Sequence, residues 1–366
     1  MNYLFINSVY GVRSTGKIVA EQCIRLQSEG NQCAAAYGRE TIDDPGVLQI
    51  KIGKKEDYLI HMILSRIFDL HGLCSRRATK VFLQQVDVYQ PDVIWLHNLY
   101  GYYINFELLF QWLKDHPQIK VYWTLHDCWA FTGHCAYFTM AGCDQWKSGC
   151  LHCGQLHTYP KTFGFDHVKR NYLKKRNAFT GMENLELITP SRWLADLTRE
   201  SFLSEYPVRV IHNSIDREVF RPTESDFRKS YGVENAYLVL GVAVGWEETK
   251  GLQDMLKLRE QLPDPYVIVL VGATDRQIDS FPKGVIGINR TADQRELAAI
   301  YTAADVFVNP THQDNYPTVN LEAGACGTPV ITYNVGGSAE SVPKENVVSE
   351  NDVAAMAVRI MQICEA

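Results

Sequence analysis

Short β-rich runs alternate with helix-periodic ones along the whole chain, and no other feature restricts its fold so strongly. "NYLFINS", "QCAAAY", "DVIWLHN", "KVYWTLHD" and "LELITPS" read as strands, while 17–29 and 104–115 carry apolar residues at helical spacing. Strands separated by helices pair side by side and are covered on both faces, which implies parallel sheets. After "YPVRVIHNSID" and the polar run "RPTESDFRKSYGVENA" the pattern begins again with "YLVLGVAVG", "YVIVLVG", "VIGIN", "DVFVNP" and "PVITYN". The expected architecture is therefore α/β, with two doubly wound, Rossmann-like domains at 1–208 and 209–366. A chain of 366 residues, 46% of them hydrophobic, suits two cores, since single cores stop growing beyond about 250–300 residues.

The formal net charge of −6 argues against a nucleic-acid binder, which would carry a strongly basic face. The start, "MNYLFINSVYG", lacks the charged beginning and long apolar run of a secretory signal, and no stretch approaches 18 uninterrupted apolar residues. The expected location is the cytoplasm. Residues 57–73 have helical apolar spacing and read first as a core-facing helix. With the basic runs 75–80 and 167–179 they offer a second reading, peripheral contact with an anionic membrane surface.

In open parallel sheets ligands bind beyond the carboxyl ends of strands. One such stretch is "THQDNYPTVNLEAGACGTPVI", residues 311–331, with Asp314 and Glu322 eight positions apart. A helix is expected from Pro317 to about Cys326, because proline suits a first helical position and Gly327 a left-handed stop. Its free amides, around Thr318 and Val319, would bind phosphate. Glu322, about 7.5 Å further along the axis, would reach a ribose and Asp314 the sugar beyond the phosphate. A plain first-turn acid and a solvated loop acid fit the local sequence equally well.

Lys250 follows the strand in "VAVGWEETKGL" and could neutralise a departing diphosphate. The first loop, "NSVYGVRSTGKIV", matches neither the dinucleotide fingerprint nor a P-loop. His97 and His126 each end a strand; His126, followed by Asp127 and Trp129, reads as a sugar-binding group, while His97 is balanced between that and a satisfied core histidine. No Asp-x-Asp occurs, so no catalytic metal is expected.

Five of the ten cysteines fall between 128 and 153. Cys135, Cys143, Cys150 and Cys153 form C-x7-C-x6-C-x2-C, in which the closing C-x2-C is a half-site typical of tetrahedral zinc. A structural zinc is preferred over disulfides and reactive thiols, with His152 and His157 as substitute ligands and Cys128 facing the core.

On "STGKIV", "PDVIWLHNLYGYYIN", "WTLHDCWAFTGHCAYF", "ITPSRWLA", "IHNSIDREVFRP", "KGL", "ELAAIYTAADVFVNPT" and "DNYPTVNLEAGACGTPVI", the chain resembles family four of the retaining GT-B glycosyltransferases. Within it, the likeness is to the colanic-acid, capsule and O-antigen branch. The resemblance implies a GT-B fold whose two domains face a central cleft, a Cys-rich insertion at about 128–160, and a nucleotide-sugar donor held by the C-terminal domain. The implied reaction moves a hexosyl unit from a UDP- or GDP-linked sugar to a hydroxyl of a growing, lipid-linked glycan. The family's E-x7-E falls on Asp314 and Glu322, with Asn315, Tyr316, Pro317, Thr318 and Val319 supplying backbone donors. Lys250 matches the phosphate-binding lysine, Gly16 the glycine beneath the diphosphate, Asn289, Arg290 and Thr291 the segment beside the base, and His126 the histidine near the reacting sugar. His97, Asp127 and Trp129 fall on the acceptor side.

Departures from the family are Asp for Glu at 314 and Gly245-Trp246 where many members have Gly-Arg, leaving Arg13 or Arg290 to supply a second positive charge. Relatives also often continue beyond the equivalent of 366 into a helix that crosses back to the first domain. Alternatives on the same plan are a nucleotide-sugar epimerase and a non-catalytic scaffold.

Overall fold

The apolar runs do become parallel strands, because residues buried on both faces of a sheet give a continuous rather than an alternating pattern. A computed structural model describes residues 1–365, which divide into Met1–His212 and a second unit from Asn213 onward. The first contains β1 (Asn2–Asn7), β2 (Gln32–Tyr37), β3 (Leu48–Lys51), β4 (Val93–Leu96), β5 (Lys120–Thr124), β6 (Leu185–Thr189) and β7 (Val208–Val210). They form one sheet in the order β3-β2-β1-β4-β5-β6-β7, and every pairing is parallel. Within β1, Leu4 and Ile6 enter one core and Phe5 the opposite one, as strand alternation requires.

The second unit repeats the plan with β8 (Tyr237–Val242), β9 (Tyr266–Val271), β10 (Val285–Ile288), β11 (Val306–Asn309), β12 (Val330–Tyr333) and β13 (Val347–Val348), ordered β10-β9-β8-β11-β12-β13. Val239 of β8 lies in one core, and its neighbours Leu238 and Leu240 lie in the other. The strand order reverses between β1 and β4 in the first sheet and between β8 and β11 in the second. These switch points are where loops splay and ligands fit.

Three differences from expectation have physical causes. The boundary lies after His212, not at 208/209, because β7 pairs with β6 through Leu187–Val208, Ile188–Arg209 and Thr189–Val210. The edge strands β3 and β13 were not foreseen; with four and two residues, they carry too little pattern of their own. The expected core-facing helix is Lys55–Phe68, but it buries only His61 and Ser65 and exposes Leu59, Ile60, Ile63, Ile67 and Phe68. Its inner face is anchored by polar bonds instead: the His61 ring meets Ser75 Oγ at 2.8 Å and the Leu70 carbonyl at 3.3 Å.

Candidate functional site

In the second unit the loops after β8 and β11 are lashed together. Gly251, at φ +73°, lies so close to the Pro310 carbonyl that a Cβ there would stand 2.1 Å from its oxygen. The Thr249 carbonyl accepts the His312 amide at 2.9 Å and the Thr311 hydroxyl at 3.2 Å. This packing sets Lys250 Nζ 2.7 Å from Asp314 Oδ2. Asp314 is held from further sides: its Oδ1 accepts the Asn315 amide at 2.9 Å, and its carbonyl accepts Gly337 N at 3.3 Å. Gly336, at φ +56°, allows that approach, since a Cβ would meet the same carbonyl oxygen at 2.1 Å.

The helix beyond Asp314 runs Thr318–Ala325, with Pro317 as its N-cap and not its first residue, and no side chain caps it there. Gly327 ends it at φ +85°, as expected. Its buried Asn320 accepts from Asn309 Nδ2 at 2.9 Å and donates to Ser341 Oγ at 2.8 Å. Thr332 Oγ1 lies 2.7 Å from Ser338 Oγ and donates to the Asn309 carbonyl at 2.9 Å. This network, which ties the helix to β11 and β12, was not anticipated. Glu322 accepts from the Tyr301 hydroxyl at 3.1 Å. Burial, then the nearby Glu322 charge, pushes that phenol well above its ordinary pKa, so it stays a donor.

Other expected donor residues lie further from the pair in sheet order. Asn289, Arg290 and Thr291 follow β10, an edge strand two positions from β8. Asn289 Nδ2 is engaged by Asp275 Oδ1 at 2.6 Å, and Arg290 is exposed. Trp246 is a packing residue whose indole donates to the Val271 carbonyl at 3.0 Å. Arg13 is held by Glu40 through bonds of 2.9 and 3.1 Å. An unforeseen cluster sits behind Asp314, where the His312 ring lies 3.0 Å from both Asp254 and Glu350.

In the first unit, Gly16 is buried beneath the loop after β1 and its carbonyl accepts Gly11 N at 2.9 Å. A Cβ at Gly16 would stand 3.0 Å from Val9 Cγ2 and 3.2 Å from Gly11 N, so the fold of this loop itself calls for glycine. His97 and His126, ending on neighbouring strands β4 and β5, come together with Nδ1 and Nε2 2.9 Å apart. Burial lowers the pKa of His126 to about 4 and that of His97 well below 6.5, so both rings are neutral at pH 7. Asp127 accepts the Tyr100 hydroxyl and the Trp129 amide, and burial raises its carboxyl to about 6.

Trp129 does not offer a face to a sugar. It is buried against Tyr100, Phe106 and Phe179, and the equally buried Lys175 ammonium sits 3.6 Å over its ring. That ammonium also donates to the Trp129 and Thr132 carbonyls at 2.7 and 3.0 Å. The Trp-aromatic cluster supplies core, which a pattern of neighbouring letters could not distinguish from a platform.

The four cysteines of the spacing motif, Cys135, Cys143, Cys150 and Cys153, line one cavity of about 450 Å³, and all ten cysteines are free thiols. Cys128 is buried in the core, as expected. Of the substitute ligands, His152 borders this cavity but is exposed, while the His157 ring turns to the Thr162 carbonyl at 3.1 Å. His134 also lines the cavity and was not considered from sequence.

Comparisons with known proteins agree with this architecture. Residues 237–366 match the family model described as "Glycosyl transferases group 1". The "Putative colanic acid biosynthesis glycosyl transferase WcaC" of Escherichia coli K12 is 29% identical over 274 residues, which are 72% of this chain and 65% of that protein. Sucrose-phosphate synthase from Thermosynechococcus elongatus superposes with a TM-score of 0.71 at 16% identity, covering 100% of this chain and 90% of that one. HepE from Anabaena, solved in complex with UDP-glucose, gives 0.64 at 14% identity, with coverage of 100% and 90%. The chain thus has the GT-B fold, and residues 237–366 are similar to the group 1 glycosyltransferases.

Proposed function

We propose that this protein transfers a hexosyl unit from a UDP- or GDP-linked sugar to a hydroxyl of a growing, lipid-linked cell-surface glycan, with retention at the anomeric carbon. The observation that carries this reading is the Lys250–Asp314 pair at the β8–β11 switch point, next to an uncapped helix start and Glu322. HepE, of the same fold, binds UDP-glucose, and the WcaC likeness points to polysaccharide assembly.

In this reading the diphosphate lies against Lys250 and the amides of Thr318 and Val319, which stabilise charge as the bond to the anomeric carbon breaks. The acceptor oxygen bonds to that carbon on the same face, and its proton passes to the departing phosphate oxygen. Asp314 hydrogen-bonds sugar hydroxyls, and Glu322 the ribose. The absence of Asp-x-Asp from the sequence favours charge neutralisation by the lysine over a metal.

A lipid-linked acceptor suits the exposed face of Lys55–Phe68. There Phe68 stacks on exposed Phe165 at 5.5 Å, Phe163 is exposed nearby, and Arg66, Lys161 and Lys169 supply positive charge. We place the protein at the inner surface of the cytoplasmic membrane, held peripherally; no helix among the described residues is long and apolar enough to cross one.

The test is a screen of UDP- and GDP-hexoses for thermal stabilisation, followed by transfer to a lipid-linked acceptor with the product's anomeric configuration read by NMR. A stabilising donor and a retained configuration support the proposal. An inverted linkage, or a donor epimerised without acceptor, overturns it.

A further inference from the structure

The strand order of the first sheet reverses between β1 and β4, and the loop after β2 is drawn onto that point. The Ser8 carbonyl, just past β1, accepts the Gly38 and Arg39 amides at 3.2 and 3.0 Å. A Cβ at Gly38 would stand 2.2 Å from Tyr103 Cβ, so residues 38 and 39 also press on the loop after β4. In that loop Gly101 lies at φ +115°, and a Cβ on it would stand 3.0 Å from Ser8 Cβ and 3.9 Å from Arg39 Cζ. The guanidinium is thus carried off the end of β2 and laid across the switch point, where open α/β sheets take their ligands.

Arg39 is half-buried, and its Nε is enclosed without a hydrogen-bond partner. Among the described residues its guanidinium makes no hydrogen bond and no ion pair. Glu40, the acid beside it in the chain, is taken instead by Arg13 through bonds of 2.9 and 3.1 Å. A guanidinium cannot shed its charge, and a charge drawn partly out of water is costly unless an anion meets it. A merely solvated arginine would extend away from the surface; this one lies against Gly101 with Nε covered.

An aromatic face stands near it. Tyr159 is 59% exposed, and its ring is set by an edge contact with Tyr100 at 5.8 Å. The Arg39 charge acts on the Tyr159 phenol, so the two groups are neighbours. The planar fork of an arginine matches the paired oxygens of a carboxylate or a phosphate, and an exposed aromatic ring offers a flat apolar surface beside them.

We propose that Arg39 binds an anionic group of the acceptor, either the carboxylate of an acidic sugar or a phosphate of the lipid carrier, with Tyr159 against the adjoining sugar. Because Nε is enclosed, the ligand oxygens meet the outer nitrogens of the fork. The acceptor role rests on the transfer proposed above and narrows its acceptor to a charged one; the anion site itself does not depend on it.

The experiment titrates the full chain by ligand-observed NMR with methyl glucuronide, geranyl diphosphate and, as the neutral reference, methyl glucoside. UDP or GDP, whichever binds, is present at saturation to fill the donor site. The parent should bind at least one of the two anions about 10-fold or more tightly than the glucoside, and the anion preferred identifies the source. Arg39→Gln should weaken that anion about 10- to 100-fold and leave the glucoside unchanged. Arg39→Lys, which keeps the charge but not the fork, should restore part of the loss. The affinity for UDP or GDP should be the same in all three proteins. A parent that prefers neither anion, or a preference that survives Arg39→Gln, overturns the proposal. Weaker nucleotide binding in a folded Arg39→Gln protein also overturns it, by assigning the arginine to the donor. Failure of the parent to bind either nucleotide counts against the proposed transfer alone, since the anion titrations still decide what Arg39 does.

Discussion

Lys250 and Asp314 are 64 positions apart, and each carries an ordinary alternative reading when seen in its own loop. Joined at 2.7 Å and only partly exposed, they make a pair whose contribution to stability should be small, about 0–1 kcal/mol. Lys250→Ala should therefore leave the melting temperature nearly unchanged while lowering kcat about 10²-fold or more, as loss of charge stabilisation in the transition state does. Steady-state kinetics beside a melting curve checks this; unchanged turnover would remove the lysine from the mechanism. Asp314→Asn separates binding from transfer. Without the acid's negative charge the free nucleoside diphosphate should bind as well or better by calorimetry, while transfer falls about 10²-fold through mispositioning of the sugar. The aspartate at 314 also gains a structural reason: with its backbone fixed by Gly337 and its Oδ1 by Asn315, the shorter side chain already reaches Lys250.

Two elements carry separable duties. The helix Thr318–Ala325 is positioned by Asn320, so Asn320→Ala leaves Asn309 and the Ser341 hydroxyl short of partners and should cost about 1–3 kcal/mol. The same variant should raise the donor KM, because the helix start shifts; differential scanning calorimetry and donor titration report the two effects. The helix Lys55–Phe68 behaves oppositely. Ile60→Glu with Ile63→Glu alters exposed positions and should change stability by no more than about 0.5 kcal/mol each, yet abolish co-sedimentation with anionic vesicles. Equal sedimentation of variant and parent would remove this face from membrane contact. The helix's existence was legible in its periodicity. Which way it faced was not, because apolar spacing identifies a stripe and only the partners of His61 and Ser65 decide what that stripe meets.

Across the whole molecule, buried histidines set the acid limit. Burial lowers His61 and His126 to about 4 and holds His97 well below 6.5. An unfolded chain takes up these protons from about pH 6.5 downward while the folded chain does not, so stability is lost as pH falls from about 6.5 toward 4. Asp127, raised to about 6, works the other way between about 6 and 4, because there the folded state keeps a proton that the unfolded one releases. Three histidines outweigh one carboxyl, so melting temperatures should drop between pH 6.5 and 4.5, and less steeply in His61→Asn; a flat profile would contradict the burial of these rings. By itself the sequence determined the parallel α/β plan, the two halves and the pairing of a lysine with two acids as donor-site candidates, because burial on both faces of a strand and turn chemistry leave local marks. Only the tertiary structure decided that Lys250 meets Asp314, that Trp129 is core and that Lys55–Phe68 faces outward. Those outcomes depend on which distant segments the sheet order brings together, and contact between distant segments leaves no period in the chain.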